Sequence, residues 1–446
     1  MKKLFLLGIL TILPQYVFSI NINFVGNTKK IIEITPDKST GLEKIYVVND
    51  CSLITELVIR DCSAQANVMT YSNLGGGFAQ PVSSSYMNGE LIIPTPVGNS
   101  GYIIEENGRN TCFWIIDYKT YQLKLNSITA DDYQDCDATQ INIGASGGEP
   151  IYYFSIDGRQ VELSREISLK YYNLSWNEEA KLFEQVDSFK ELSHISNPVR
   201  LSPPLYCNTI ITASGDRFQK EWGEENKIES NLIYANGINV ASYAEQTNIN
   251  DGEDEESSNL IKTETGGLGG SAPADFSFVA YTTDAVVHNE WQIASDENFE
   301  YIDYRFNQQT LDYTFSEEGT YYVRFVGSNS DGSCEAIGET YQISIGASDL
   351  RIPNAFTPND DGVNDIWKVG YRSLLNFRCS IFDRYGNQIY TFNDPSQGWD
   401  GKYKGKLVKP GVYYYVIEAT GADGKKYKKG GDINLLRSKR TSTQEN

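Results

Sequence analysis

The residues with the clearest chemical potential form one oxygen-rich segment, Asn359-Asp-Asp-Gly-Val-Asn-Asp365. Hard cations such as calcium prefer clustered carboxylate and amide oxygens, and Gly362 would permit the sharp turn that such a loop needs. The spacing departs from the EF-hand pattern, so a second interpretation stays open, in which the same side chains bond nearby backbone amides. The candidate calcium ligands are Asn359, Asp361, Asn364 and Asp365, and the sequence indicates no other cofactor.

Catalytic chemistry finds little support in the sequence. The two histidines, His194 and His288, are far apart and belong to no recognisable catalytic motif. Neither a zinc-protease His-Glu-x-x-His nor a phosphate-binding Gly-x-x-x-x-Gly-Lys-Ser/Thr occurs. Carboxylate pairs arise easily in a chain whose net charge is −21, so they are weak support for a glycosidase. We therefore predict that the protein is not an enzyme.

Charge is distributed unevenly along the chain. The residues before Leu350 include 22 basic and 49 acidic side chains, whereas those from Leu350 onward include 16 basic and 10 acidic ones. An acidic body repels phosphates, which excludes nucleic acid as a partner. Two interpretations of the basic end stay open: a solvated, lysine-rich edge, or a surface that docks to an acidic partner.

The N-terminus has the pattern of a secretory signal peptide. Lys2 and Lys3 precede an apolar run from Leu4 to Leu13, and Ser19 occupies the last position before an acceptable cleavage site. Such a run is too short to span a bilayer permanently. We expect residues 1–19 to be removed on export, and no later segment is apolar over 18 residues, so we predict no transmembrane segment.

Seven cysteines remain, and export into an oxidising compartment permits disulfides. Cys136 and Cys207 are spaced as in a bridge across an immunoglobulin-type sandwich, so we predict that they pair. A second bridge is expected among Cys51, Cys62 and Cys112. An odd number leaves at least one thiol unpaired or joined to another chain.

Most of the chain has a β pattern, because short apolar runs rich in tyrosine recur between turn residues. The predicted fold class is all-β: tandem immunoglobulin-like β-sandwiches that end in a β-sandwich sorting domain. Only 177–192 has helical character, since Leu182, Phe183, Val186 and Phe189 recur at helical spacing. The predicted order is an Ig-like sandwich at 20–120, a second at 121–245 and an acidic linker at 246–264.

Residues 265–347 form the third predicted sandwich. Trp291 stands mid-domain, and Tyr313-Thr-Phe-Ser-Glu-Glu-Gly-Thr-Tyr-Tyr-Val-Arg-Phe325 contains a Gly319 turn that leads into an alternating strand. This segment resembles a PKD-like domain, a small surface module of the immunoglobulin kind. The usual Trp-x-Phe-Gly-Asp-Gly stretch is present only as Trp291-Gln-Ile-Ala-Ser-Asp296.

Residues 350–437 carry the most specific pattern. They include Ile352-Pro-Asn-Ala-Phe-Thr-Pro358, the oxygen-rich segment, Gly398-Trp-Asp-Gly401 and Pro410-Gly-Val-Tyr-Tyr-Tyr-Val-Ile417. Apolar and polar residues alternate from Phe377 to Ile381, and Asp383–Asn387 is rich in turn formers, which predicts a hairpin. We expect a β-sandwich of about 90 residues, followed by a flexible tail at 438–446.

Taken together, these blocks closely resemble the gliding-motility-associated C-terminal domain, the type B sorting domain of Bacteroidota. The resemblance implies export through the periplasm and the type IX secretion translocon, with an outer-membrane partner protein, to the cell surface or the extracellular space. The motif positions that match are Pro353, Asn354, Phe356, Pro358, Gly362, Asn364, Asp365, Trp367, Gly386, Trp399, Asp400, Gly401, Pro410, Gly411 and Tyr413.

The leading hypothesis is therefore a secreted surface protein with structural or adhesive N-terminal modules, which would bind a surface glycan or protein. Two alternatives stay open: a carbohydrate-binding surface protein, and an accessory component of the gliding or secretion machinery. Trp367, Trp399 and the tyrosines from Tyr413 to Tyr415 could form an aromatic platform for sugars, or they could pack the core of a small sandwich.

Overall fold

The computed structural model describes residues 21–247, 260–261 and 268–437. The predicted signal peptide, most of the predicted acidic linker and the C-terminal tail lie outside the described residues. Strands make up 55% of the described residues and helices 4%, which confirms the predicted all-β class of tandem sandwiches. The described residues divide into two units: 21–173 together with 185–235, and 174–184 together with those from 236 to 437.

The first module is a sandwich of a four-stranded sheet, in the order β1-β4-β8-β7, and a six-stranded sheet, in the order β2-β3-β10-β9-β5-β6. β3 and β10 pair in parallel, and the other pairs are antiparallel. Three short 3-10 helices lie at Lys38–Thr40, Cys51–Leu53 and Tyr118–Tyr121. The strands are β1 (Asn21–Gly26), β2 (Ile32–Ile34), β3 (Lys44–Val48), β4 (Ile54–Arg60), β5 (Asn67–Tyr71), β6 (Gln80–Pro81), β7 (Ser85–Met87), β8 (Glu90–Pro94), β9 (Ser100–Glu106) and β10 (Arg109–Asp117).

The second module has three sheets, in the orders β11-β12-β17, β13-β14 and β16-β15-β18-β19. Its core is aliphatic and includes Leu125, Ile141 and Leu169. The elements are β11 (Lys124–Ala130), β12 (Thr139–Ser146), β13 (Ile151–Phe154), β14 (Gln160–Leu163), β15 (Ile167–Asn177), β16 (Leu182–Leu192), β17 (Val199–Leu201), β18 (Thr212–Ser214), α1 (Arg217–Glu221) and β19 (Lys227–Glu229).

The six-stranded sheet of the first module is buried on both faces. Phe113 and Ile115 of β10 pack towards the four-stranded sheet. Trp114 and Ile116, which point the other way because side chains alternate along a strand, share a core with residues of the second module such as Tyr153. The first two modules therefore enclose a common apolar core, which composition alone did not indicate.

The helical pattern at 177–192 is a strand hairpin in the structure, so that prediction was wrong. The Asn177 side chain accepts hydrogen bonds from the amides of Glu179 and Ala180, both at 3.0 Å. Lys181 follows with a positive φ of 53°. The residues with high helix propensity thus form the turn between β15 and β16, since local side-chain to backbone bonds compete with helix formation.

The third module pairs a three-stranded sheet, in the order β20-β22-β25, with a five-stranded sheet, in the order β21-β27-β26-β23-β24. β20 was assigned by sequence to the second module, but it pairs with β22 along its whole length, so the boundary at 245 was wrong. The strands are β20 (Val240–Gln246), β21 (Leu268–Gly270), β22 (Ala274–Thr282), β23 (His288–Ala294), β24 (Tyr304–Phe306), β25 (Thr310–Phe315), β26 (Gly319–Ser328) and β27 (Glu335–Ile345).

The fourth module is built on a five-stranded sheet, in the order β29-β38-β37-β32-β33, with three small two-stranded sheets, β28-β31, β30-β34 and β35-β36. The hairpin predicted from Phe377 onward is confirmed as β32 and β33. The strands are β28 (Asp349–Arg351), β29 (Ala355–Phe356), β30 (Trp367–Lys368), β31 (Gly370–Arg372), β32 (Leu374–Phe382), β33 (Gln388–Phe392), β34 (Gly398–Trp399), β35 (Lys402–Tyr403), β36 (Lys406–Leu407), β37 (Gly411–Gly421) and β38 (Lys426–Leu435).

The predicted disulfides are wrong. Cys136 and Cys334 are each disulfide-bonded, whereas Cys207 is not in a disulfide. Cys51, Cys62 and Cys112 are buried and reduced. Cys112 packs in a different apolar cluster from Cys51 and Cys62, and sequence spacing could not reveal on which face of its sheet each thiol would lie.

Candidate functional site

Two tryptophans lie side by side at the centre of the fourth module. Trp367 and Trp399 are fully buried and occupy opposed positions in the β30–β34 pair. A buried indole must place its N–H on an acceptor. Trp367 Nε1 donates to the carbonyl of Pro353 at 2.8 Å, and Trp399 Nε1 donates to the carbonyl of Lys402 at 2.9 Å. They do not form an exposed sugar platform.

Other motif aromatics extend this centre. The ring centroids of Phe356 and Trp399 are 5.4 Å apart, and Tyr413 meets Trp399 edge-on at 5.1 Å. Trp367 packs on Tyr415 at 5.5 Å. The conspicuous aromatic motif residues are thus the core that holds this module together, in agreement with the second of the two interpretations above.

The Trp399-Asp-Gly401 turn has a steric reason for its glycine. Gly401 has a φ of 74°, and a Cβ added there would lie 3.0 Å from Pro358 Cγ and 3.3 Å from Leu435 Cδ1. Both the left-handed backbone and the close approach favour glycine. Gly401 therefore allows the turn to close over the segment that carries Pro358, so two motif blocks that are distant in sequence are in contact.

The remaining motif residues form backbone connections. The carbonyl of Asn354 accepts from the amide of Asn434 at 2.8 Å, beside the parallel pair of β29 and β38. The carbonyl of Asn364 accepts from the amide of Thr357 at 2.8 Å. Gly386 has a φ of 85° in the hairpin turn between β32 and β33. Pro410 and Gly411 lie at the start of β37.

The predicted calcium loop is organised around Asp365. Its carboxylate accepts hydrogen bonds from the amides of Asn359 at 2.7 Å, Asp360 at 2.8 Å and Gly362 at 2.7 Å. Although burial opposes the change, these amides hold the pKa of Asp365 below its usual value. Both oxygens of Asp365 are therefore occupied by backbone donors.

Asp361 is used in the same way. It accepts from the Val363 amide at 2.9 Å and from the Asn359 side-chain amide at 2.7 Å. Within the described ranges, no three His, Cys, Asp or Glu side chains gather closely enough to hold a metal ion. An ion here would have to share its oxygens with backbone amides, and calcium binding stays a prediction.

Sequence reasoning missed an apolar strip on the outer face of the main sheet. Val412, Tyr414 and Val416 alternate outward along β37, and each is more than 40% exposed. A strand whose residues are apolar on both faces is the signal that could have indicated it. One register step further along, Glu418 faces Lys428 across β37 and β38, where an exposed ion pair of 3.3 Å forms.

The lysine cluster singled out by its charge lies beside this ion pair, in the turn between β37 and β38 and at the start of β38. Lys425, Lys426, Lys428 and Lys429 are all exposed. Lys428 pairs with Glu418, and the Lys425 ammonium lies 4.8 Å from the centroid of the Tyr427 ring. Lys426 and Lys428 are in register with Thr420 and Glu418, on the face of the apolar strip, whereas Lys429 is in register with the buried Ile417. The four lysines thus form a basic patch at this end of the sheet, and two of them lie on the face of the strip.

In the described part of the chain, no hydrogen bond joins Ser146 to either histidine. His194 Nδ1 lies 2.8 Å from a Glu162 oxygen. Gly144–Gly148 contains Ser146 in a Gly-x-Ser-x-Gly spacing, but it lies at the end of antiparallel β12, and the Ser146 hydroxyl accepts from Asn126 at 3.4 Å. A nucleophile elbow needs a strand-to-helix turn.

Comparisons with known proteins agree with this architecture. Residues 350–435 match the CHU_C type IX secretion signal domain family, and residues 127–230 match a fibronectin type III domain family. The comparison with curated proteins finds no match. No helix in the described part of the chain is long and apolar enough to cross a membrane.

One solved structure that resembles the chain is that of dimeric latent PorU from Porphyromonas gingivalis. The sequence identity is 10% and the TM-score is 0.16, over 74% of this chain. This chain spans 35% of the length of that one. The family matches carry the conclusion: the fourth module is a type IX secretion signal domain, preceded by an immunoglobulin-like module, and it directs export to the cell surface or the extracellular space.

Proposed function

We propose that the protein is a non-enzymatic structural or adhesive surface protein, whose fourth module docks on an acidic partner in the type IX secretion machinery. The observation that carries this proposal is the secretion signal domain at residues 350–435, which encloses its own aromatic core. The basic patch and the adjoining apolar strip support docking. An apolar centre with a charged rim is typical of protein–protein interfaces.

The first test separates the role of the whole module from that of its surface. Deleting residues 350–446 is expected to leave the protein in the periplasm of a host that has the type IX system. Surface proteolysis of intact cells measures how much of it reaches the surface. Export of the truncated protein at normal levels would refute the proposal.

The second test addresses the basic patch with a matched control. Lys425, Lys426, Lys428 and Lys429 are replaced together by Glu, and in the control Lys402, Lys404, Lys406 and Lys409 of the same module are replaced together by Glu. Both variants change the charge equally, and all eight side chains are exposed. Like charges that face an interface reduce affinity, so we expect export to fall only in the first variant. Equal export of both would refute docking through this patch.

The structural or adhesive role of the N-terminal modules rests on their construction. The first two modules enclose a shared apolar core, and the third is a two-sheet sandwich. Such modules present rigid outer surfaces and loops on which binding sites are commonly built. Loss of cell attachment to a surface after deletion of residues 21–235, with export maintained, is the result expected.

A further inference from the structure

The outer face of the five-stranded sheet in the third module carries a polar groove of about 540 Å³. Its lining follows from strand alternation. Trp291 and Phe325 point into the core, so their neighbours Gln292 and Arg324 point outward. Gln292 of β23 is paired in register with Arg305 of β24 and with Arg324 of β26. A glutamine thus lies between two arginines on this face.

The three side chains and Glu290 form one connected network. Gln292 donates through Nε2 to Glu290 Oε1 at 2.6 Å and accepts from Arg324 Nε at 2.9 Å. Glu290 also pairs with Arg305. Gln292 is buried, so its amide fixes the orientation of Arg324 and Glu290. Arg305 therefore has a carboxylate partner, and Arg324 has an amide partner at one nitrogen.

Arg324 keeps its remaining donors available to the groove. Its guanidinium lies 3.9 Å from the centroid of the buried Phe299 ring, which holds it flat. It forms no ion pair with any residue in the described ranges, and its terminal nitrogens form no hydrogen bond there. Burial lowers the pKa of Arg324 and the nearby Arg305 lowers it further, while the charge of Glu335 acts in the opposite direction. Glu335 also lines the groove and acts on Arg324 through its charge, but it forms no ion pair with it, so this half-buried, oriented cation keeps donors for an anionic ligand.

The shape of the site decides between kinds of anionic ligand. An extended peptide commonly binds by adding a strand to an open sheet edge. Here the groove lies over β23 and β26, which are each paired on both sides. Side chains alone must make the contacts, and His288, Asn307 and Ser328 offer polar groups beside the apolar Val326 and Ile337. A sugar ring that has several hydroxyl groups and one carboxylate matches this combination of polar, apolar and cationic side chains.

We propose that this groove binds an acidic saccharide, with the carboxylate of a uronic acid on Arg324. The terminal nitrogens of Arg324 would donate to the two carboxylate oxygens. Gln292 and Phe299 hold the guanidinium in place, and the polar side chains around it accept or donate to sugar hydroxyls. The site is independent of the secretion signal domain.

The test is calorimetric titration of the full-length exported protein with a galacturonic acid trimer. Maltotriose serves as the uncharged probe and hexaglutamate as an acidic peptide. We expect the uronate trimer to bind, maltotriose not to bind, and Arg324→Gln to weaken uronate binding at least about tenfold, because a charge-assisted pair is lost. Arg384→Gln is the matched control, since Arg384 also lies above an aromatic ring, Tyr385, at 5.0 Å, but in the fourth module.

A second variant guards against misfolding at Arg324. Ile337 is 55% exposed and lines the groove, so Ile337→Glu adds a negative charge there without disturbing the core. It should weaken uronate binding while leaving the melting temperature unchanged. No binding of the uronate, equal binding of maltotriose, tighter binding of hexaglutamate, or unchanged affinity in both groove variants would each overturn the proposal.

Discussion

The first two modules meet through an apolar core with a buried ion pair beside it, whereas the last two meet mainly through hydroxyls and backbone amides, with Ala422 as an apolar contact. In the first junction, Arg165 and Asp216 have no exposed side-chain surface, and their charged groups are 2.8 Å apart. Tyr118 also donates to Asp216, at 3.0 Å, and Arg165 Nη2 donates to the carbonyl of Tyr121 at 2.6 Å. This junction joins the end of the first module to the second.

The second junction is centred on Ser373, which is fully buried. Its hydroxyl accepts from the amide of Ala272 at 3.1 Å and donates to the carbonyl of Gly346 at 2.6 Å. Nearby, Ser348 Oγ donates to Asp423 at 2.7 Å. The difference teaches which modules can be separated. Exposing an apolar core is costly, but polar groups released from a junction can bond water instead.

The largest expected effect is at the ion pair. Asp216→Asn leaves the buried Arg165 charge without a counter-ion, and removing one partner of such a pair costs about 3–5 kcal/mol. We expect a loss of this size in the free energy of opening of the first unit, measured by hydrogen exchange at the β10 amides of the full chain. Asp157→Asn is the control. Asp157 also pairs with an arginine, Arg159, but both of these side chains are 53% exposed. Equal protection of the β10 amides in Asp216→Asn and Asp157→Asn would contradict the role given to the buried ion pair at this junction.

A smaller effect is expected at the second junction. Ser373→Ala leaves the Ala272 amide and the Gly346 carbonyl without their partner, at a cost of about 1–3 kcal/mol. Hydrogen exchange at the β31 amides should rise accordingly, while β10 should be unaffected. Ser396→Ala removes a hydroxyl that donates to Asp394 at 2.7 Å on the surface, and it should change stability by less than about 0.5 kcal/mol. If the β10 amides lost as much protection as the β31 amides, the two junctions would not be independent.

The smallest expected effect is a loss of stability of the second junction at acidic pH. Burial opposes the change, but hydrogen bonds from Ser348 and from the Lys425 amide hold the pKa of Asp423 below its ordinary 3.8. A lowered folded-state pKa gives stability that is present above pH 3.8 and is lost as pH falls through the folded value. Protection of the β31 amides should therefore decrease below pH 3.8. Asp423→Asn should remove this dependence, and an identical acid profile in the variant would exclude Asp423 as its source.

The sequence predicted the fourth module well because its signals are local. Gly386 and Gly401 occupy turns with positive φ, and the alternation from Phe377 to Ile381 became β32. The same reasoning could not separate a ligand-binding loop from a structural turn at Asp365, because both use the same oxygens. It also could not recognise the groove at Arg324, whose residues come together only through the pairing of β24, β23 and β26.

Two of the errors have their physical origin in contacts between distant segments, and the third arises from a local turn. The composition of residues 240–245 does not show whether they belong to the second or the third module. Only their pairing with β22 assigns them to the third. Cys136 and Cys207 had a suitable spacing, but spacing does not fix the direction of a side chain. At 177–192, helix propensity was outweighed by the Asn177 turn.

The reduced cysteines of the first module have a consequence for how the protein survives outside the cell. Burial, with smaller contributions from Asp117 and Asp50, raises the pKa of the Cys51 thiol to about 12. At neutral pH the reactive thiolate is then on the order of one molecule in 100,000. Folding alone protects these thiols. A chain that opens in an oxidising medium regains ordinary thiols that can be joined wrongly, so unfolding becomes irreversible and persistence is set by how rarely the first module opens.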